Sequence, residues 1–238
     1  MITTLTIVRY KKWAMPFGLL SMAVFRIPLM LRKKITFFKL MGCGKNGTFD
    51  IHPEWRQWAI LTVHTENYEH NKSNKYRHKL YGSLIMNWLK LFSIEQLTLI
   101  LQPITGHGTW DGNQVFGEYQ QPNPENAMIA TLTRATIRLS KLGQFWRNVP
   151  LVADKISTAD GLLFSLGIGE VPFTKQATFS VWETPEQMKH FAYSMKAHSE
   201  VIKKTRAENW YSEEMFVRFN ILDSFGTIHG INPMKINQ

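Results

Sequence analysis

The sequence predicts an α+β chain: two tandem ferredoxin-like βαββαβ repeats packed as an intrachain α+β barrel of the dimeric type. Three observations carry that prediction. Apolar periodicity alternates between two and 3.6 residues in the order strand, helix, strand, strand, helix, strand, and the whole order occurs twice. The halves match at individual residues: Thr4-Leu5-Thr6 answers Thr131-Leu132-Thr133, Met41-Gly42-Cys43-Gly44 answers Leu166-Gly167-Ile168-Gly169, and residues 58–64 answer 176–182. Between them, residues 102–126 are rich in Gly, Pro and Asn, the composition of a connection. The expected organisation is an N-terminal repeat over 1–110, a connecting loop over 111–126 and a C-terminal repeat over 127–238. Helices cover one face of each such sheet, so the two free faces pack together and a cavity between sheets and helices becomes the natural ligand site.

The elements follow in order. Residues 3–8 read as a strand. Residues 13–31, WAMPFGLLSMAVFRIPLML, form an apolar stretch holding Pro16, Arg26 and Pro28 and flanked by Lys11, Lys12 and residues 32–34. A secretory signal would start nearer Met1 and end in a small-residue cleavage site, and a spanning helix would not bury Arg26 so deep. The stretch therefore reads as a buried or interfacial helix whose basic ends suit a membrane surface. Strands follow at 35–41 and 58–65, a helix at 75–91 and a strand at 96–101. In the second half the strands are 130–138, 162–166, 177–182 and 215–222, with helices over 142–156 and from Thr184.

That last helix opens with Thr184 as cap, Pro185 at the first helical position and Glu186 and Gln187 in the first turn. Met188, Phe191, Met195, His198 and Ile202 then recur at spacings of three or four, one inward face. A histidine in such a stripe is either a core residue with one hydrogen bond or a ligand for something the core encloses. His190 stands off the stripe. In the connection, Asp111-Gly112 suits a short hairpin, and His107 and Trp110 either line a site or sit in a surface turn.

Composition bounds the function. A chain of 238 residues with 44% hydrophobic and 19% charged residues is globular. The single Cys43 excludes an internal disulfide and a multi-cysteine metal site, and points to a reducing, cytoplasmic location. Net charge is +10, yet no zinc-finger spacing, RNP pattern or KH loop accompanies it. An anionic membrane surface, here the inner face of the cytoplasmic membrane, accounts for the charge without nucleic acid. Gly42-Cys43-Gly44-Lys45-Asn46-Gly47 fits G-x-G-x-x-G, but no helix opens at its third glycine, so these glycines read as a turn between strands. Arg134 and Arg138 share a strand face, either towards solvent or towards the cavity, where they could hold ligand carboxylates. Trp182 at a strand end reads as a packing residue.

Several segments together resemble the spheroidene monooxygenase family of carotenoid biosynthesis, over nearly the whole chain. They are Phe38-Lys39-Leu40-Met41-Gly42, residues 132–138, Gly167-Ile168-Gly169-Glu170, residues 177–182, Phe191-Ala192-Tyr193 with His198, and the block from Thr205 through Trp210, Tyr211, Glu213, Glu214 and Phe216 to Arg218-Phe219. The resemblance implies a haem-dependent monooxygenase that inserts oxygen into a long apolar polyene, a carotenoid such as spheroidene. It would use haem b with its iron, O₂ and an external electron donor, which could be a protein. It also implies His198 as iron ligand, Phe191, Met195 and Trp182 around the porphyrin, and Arg134 on a propionate. The alternatives are a haem-binding α+β barrel enzyme with another substrate, of dehydratase or haem-degrading type, and a non-catalytic protein that binds an apolar ligand.

Overall fold

The structure is a computed structural model and describes residues 1–45, 50–66, 68, 73–120, 128–194, 205 and 207–235. In chain order the first half contributes β1 (Ile2–Tyr10), α1 (Met15–Val24), α2 (Arg26–Met30), β2 (Ile35–Gly44), β3 (Pro53–His64), α3 (Ser73–Phe92) and β4 (Ser93–Gly108). The second half contributes β5 (Ile129–Ile137), α4 (Leu142–Ser157), β6 (Leu162–Val171), β7 (Lys175–Trp182), α5 (Pro185–Ser194) and β8 (Tyr211–Thr227). The chain folds into two compact units. Unit 1 comprises Met1–Gly42, Glu54–Gln102 and Ile221–Gln238; unit 2 comprises Cys43–Pro53 and Pro103–Asn220.

Strand order is β2-β3-β1-β4 in unit 1 and β6-β7-β5-β8 in unit 2, the same ferredoxin-like order twice. The registers repeat as well. Leu5 stands opposite Leu61 and Leu99, and its counterpart Leu132 stands opposite Phe179 and Val217. All six are essentially buried. On the other face of β1, Ile2, Val8 and Tyr10 join Ile60 and Ile100 under Phe25, Leu29, Tyr81, Ile85 and Leu89 from the helices. Burying one such side chain is worth about 1.5–3 kcal/mol.

The apolar stretch 13–31 is two helices, not one. Pro28 has no N–H for the carbonyl of Val24, so the helix breaks at Phe25 and restarts as α2. Ala14, Gly18, Ser21, Phe25 and Leu29 form its buried line, at helical spacing. A Cβ on Gly18 would come within 2.7 Å of the Trp58 indole nitrogen and 3.1 Å of Tyr10, so glycine is what lets α1 lie this close to the sheet. The opposite side is apolar too: Trp13 is 62% exposed, Ile27 67%, Met30 72% and Leu31 76%. The helix expected over 75–91 is also interrupted, at Gly82.

The glycine pairs differ from the turn reading. Gly42 and Gly44 lie within β2, and Gly167 and Gly169 within β6, where they continue the strands; the turn after β6 comes at 172–174. The two-residue hairpin at Asp111-Gly112 is present. Trp110 and Asn113 exchange both backbone hydrogen bonds, at 2.9 and 3.2 Å, and Asp111 and Gly112 both have positive φ, 51° and 77°. That pair of angles is the reason an Asp-Gly sequence belongs there.

Candidate functional site

The two repeats treat the layer between sheet and helices differently. In unit 1 that layer is filled. Thr4 and Thr62 pair through their hydroxyls at 2.6 Å, and Thr62 reaches His64 Nε2 at 2.6 Å. The Tyr81 hydroxyl, from α3, bridges Thr4 at 2.9 Å and Thr6 at 2.7 Å, and Thr6 continues to Thr98 at 2.9 Å. Thr4, Thr6, Thr62 and Thr98 are fully buried, and each finds a partner. Burial pushes the His64 imidazole down to about 4, so it is neutral at physiological pH.

Unit 2 begins the same way. Thr131, the counterpart of Thr4, pairs with Ser180 at 2.8 Å, and the Trp182 indole N–H donates to Ser180 at 2.9 Å. There the likeness stops. Thr133, the counterpart of Thr6 at the middle of β5, is exposed where Thr6 is sealed. It stands opposite Thr178 on β7 and Phe216 on β8, and Thr178 stands opposite Gly167 on β6. This row of small residues ending in one aromatic ring is a low floor. Apolar clusters bound it: Ile129, Trp182, Met188 and Phe191 on one side, Ile137, Phe145, Val149 and Trp210 on the other. Among the described residues neither the Thr133 nor the Thr178 hydroxyl has a hydrogen-bond partner.

Two further side chains border the floor at Phe216. The exposed His107 ring stacks on it, with centroids 5.5 Å apart and planes at 29°. The Arg218 guanidinium lies over its ring at 5.8 Å. Arg218 stands opposite Thr131 on the floor side of β8 and is half-buried; its Nε is fully buried and has no hydrogen-bond partner. An arginine nitrogen in that condition costs free energy until something accepts a hydrogen bond from it.

Of the residues singled out from the sequence, the structure brings Trp182 and Phe191 together, rings 5.3 Å apart, beside the floor. Met188 and Phe191 are buried, as the inward stripe of α5 requires, and His190 is exposed. His198 and Met195 lie outside the described residues. Arg134 lies elsewhere. It projects from the opposite face of β5 to Thr131 and Thr133 and is 1% exposed. There it pairs with Glu213, Glu170 and Asp111 and lies over the Trp110 ring at 5.5 Å. Its Nε, Nη1 and Nη2 each reach a carboxylate of its own chain, so its charge is already balanced there.

This cluster secures the connection instead. Trp110 donates its indole N–H to Glu170 at 2.8 Å, and Lys175 reaches Asp111 at 2.6 Å. Burial pushes the Glu213 carboxyl up, but the Gly112 N–H, the Arg134 and Thr109 donors and the Arg134 charge outweigh it and hold Glu213 down at about 2. Among the described residues no group of three or more His, Cys, Asp and Glu side chains could hold a metal ion. Thr133 and Arg218 appear in the sequence only within matched or family-like segments, not as expected site residues. Arg218 was within reach, since Phe216 and Arg218 alternate with the apolar Met215, Val217 and Phe219, which separates it from their face.

No family model matches the chain. Among solved structures, an aldoxime dehydratase in complex with butyraldoxime is 11% identical, with a TM-score of 0.56 over 93% of this chain and 79% of that one. That likeness shows the fold alone: the α+β class of paired ferredoxin-like repeats, of dimeric α+β barrel type. The sequence relatives are nearer. Spheroidene monooxygenase of Cereibacter sphaeroides is 34% identical over 97% of this chain and 70% of its own length. That of Rhodobacter capsulatus is 33% identical over 93% and 90%, and that of Rubrivivax gelatinosus 31% over 82% and 72%. Identity at this level, over most of both chains, covers the floor strands and the sealed repeat alike, and the chain belongs to the spheroidene monooxygenase family of oxidoreductases.

Proposed function

We propose that this chain is a haem-dependent monooxygenase that inserts oxygen into a long apolar polyene of the carotenoid class, with the haem on the helix-facing floor of unit 2. The carrying observation is Thr133. A mid-strand residue on a helix-facing side is uncovered, while its repeat counterpart Thr6 is sealed by Tyr81. The residues present suit a flat, largely apolar group with an anionic edge. Gly167, Thr133 and Thr178 bring little bulk to the floor, Trp182 and Phe191 offer ring faces, and Arg218 has an unsatisfied buried N–H.

Bound there, haem supplies the activation of O₂, which a polypeptide lacks. Each oxygen atom placed on the polyene is matched by one reduced to water, with a pair of electrons and two protons from an outside donor. The chain's own residues position and exclude. Trp182 spends its N–H on Ser180, so its ring meets a ligand as an apolar wall. The Thr133 and Thr178 hydroxyls are free to orient a small polar molecule over the floor. His198 is the proposed iron ligand, carried over from the family resemblance and the inward stripe whose described part, Met188 and Phe191, is buried.

A polyene is delivered from a membrane, and the outer face of α1 and α2 suits an anionic bilayer. Trp13, Leu19, Leu20, Ile27, Met30 and Leu31 are exposed there, Lys12, Arg26 and Lys33 are exposed beside them, and no Asp or Glu precedes Asp50. The protein should float with vesicles containing phosphatidylglycerol and not with neutral ones, and Ile27→Glu/Leu31→Glu should release it. Equal flotation by both proteins would remove this surface from the account.

The test of the cofactor is an absorption spectrum of protein expressed with haem precursor, wild type beside His198→Ala. A Soret band lost in the variant supports the assignment. A band with the same position and intensity in both would overturn His198, and no band in either, with haem supply adequate, would overturn haem dependence.

A further inference from the structure

We infer that Arg218 is the carboxylate anchor of the unit 2 site and takes an anionic edge group of the bound cofactor; the inference rests on the haem reading above. The argument begins with what the guanidinium lacks. Arg218 is half-buried at mid-strand on β8, with Nε wholly out of water and unpaired. Its partner among the described residues is the face of Phe216, which attracts the cation but accepts none of its five N–H groups. The nearest carboxylate along its own face of β8 is Glu214, four residues and roughly 13 Å away at strand rise, and it is exposed. Thr131 stands directly opposite, but its hydroxyl is engaged with Ser180.

Other orphaned atoms differ. Arg9 also has a buried, unpaired Nε, yet its Nη1 reaches Glu95 at 3.4 Å and His229 at 3.1 Å. Arg134 has three carboxylates. Among the described residues, Arg218 therefore holds a positive charge beside the floor with no counter-ion. A planar fork of donors matches a carboxylate with two parallel hydrogen bonds, where a lysine would offer a single point charge. The contact with the Phe216 ring uses none of the guanidinium's N–H groups, which remain available to a carboxylate. In this arrangement Arg218 orients the ring of the bound group relative to Thr133, while Trp182 and Phe191 pack it.

The experiment uses the full-length apoprotein and two probes, haem and its dimethyl ester, titrated by Soret absorbance and by quenching of tryptophan fluorescence. The wild type should prefer the free acid by about tenfold or more, the scale of a charge-assisted pair in a site partly shielded from water. Arg218→Met should lose that preference by weakening only the acid, leaving ester binding as in the wild type. Arg218→Lys should restore part of it. An Arg218→Met protein that keeps the full preference, with ester binding unchanged, overturns the anchor while leaving the haem site standing. Failure of the wild type to bind either probe overturns the haem reading, and this inference with it.

Discussion

Arg134 and Arg218 are the same residue type on neighbouring strands, and the face each occupies decides what it does. Arg134 holds Glu213, Glu170 and Asp111 together on the face away from the helices. Removing it should leave the part-buried Glu170 and Glu213 carboxylates without their cation, so Arg134→Met should cost about 3 kcal/mol of stability, read as a lower denaturation midpoint. Its folded fraction should take up haem as the wild type does, the reverse of Arg218→Met. His64 gives a second residue-scale prediction. Burial lowers its pKa from 6.5 to about 4, so the unfolded chain binds the extra proton first as pH falls. Its contribution is therefore whole above pH 6.5 and is lost progressively as pH falls towards 4, by on the order of 3 kcal/mol. His64→Gln should flatten the stability profile across that window; a slope equal to the wild type's would show that other groups carry it. Arg134 and Arg138 do not share a face as their even spacing suggested: the register shifts between Thr136 and Ile137, β5 ends at Ile137, and Arg134 is buried while Arg138 is exposed. Both faces of the TLTRATI strand are largely buried, so alternation has no polar side to report.

At the scale of elements, the same strand pattern carries a sealed threonine in one repeat and an exposed one in the other, and in unit 1 the seal comes from the helix above. Tyr81 on α3 caps Thr4 and Thr6, whereas no described side chain covers Thr133 in this way. Tyr81→Phe should remove one hydrogen bond from each of Thr4 and Thr6, which keep Thr62 and Thr98, and cost about 1–3 kcal/mol without creating haem binding. Gly18→Val tests the seating of α1. The new methyls would meet the Trp58 and Tyr10 rings, so a loss of about 1–3 kcal/mol is expected, and an unchanged midpoint would contradict the packing described. The order of strands and helices was readable from periodicity, and the Asp111-Gly112 turn from its residue types, because both signals are local. The break at Phe25 was foreshadowed by Pro28. The glycine pairs misled as turns because an extended strand accepts glycine as readily as a loop does, and only the register shows which applies.

For the whole molecule, the duplication legible in matched triplets is borne out by strand order and register, and the repeats then diverge in use. One has become a solid, hydroxyl-stapled support whose outer helices present an apolar face with basic neighbours. The other keeps an exposed threonine at the middle of its floor and, at the edge, an arginine whose Nε has no hydrogen-bond partner among the described residues. The asymmetry was only partly legible, since Thr6 and Thr133 are the same residue in the same local sequence, and the Tyr81 that seals Thr6 lies far along the chain, where no local pattern announces it. The most direct test of the central claim is haem titration of the wild type beside Thr133→Trp, followed by the Soret band, with circular dichroism to confirm that both are folded. An indole on the floor should weaken binding by at least about tenfold, or about 1.4 kcal/mol. A folded Thr133→Trp protein that binds haem as tightly as the wild type would contradict the placement of the site on this floor.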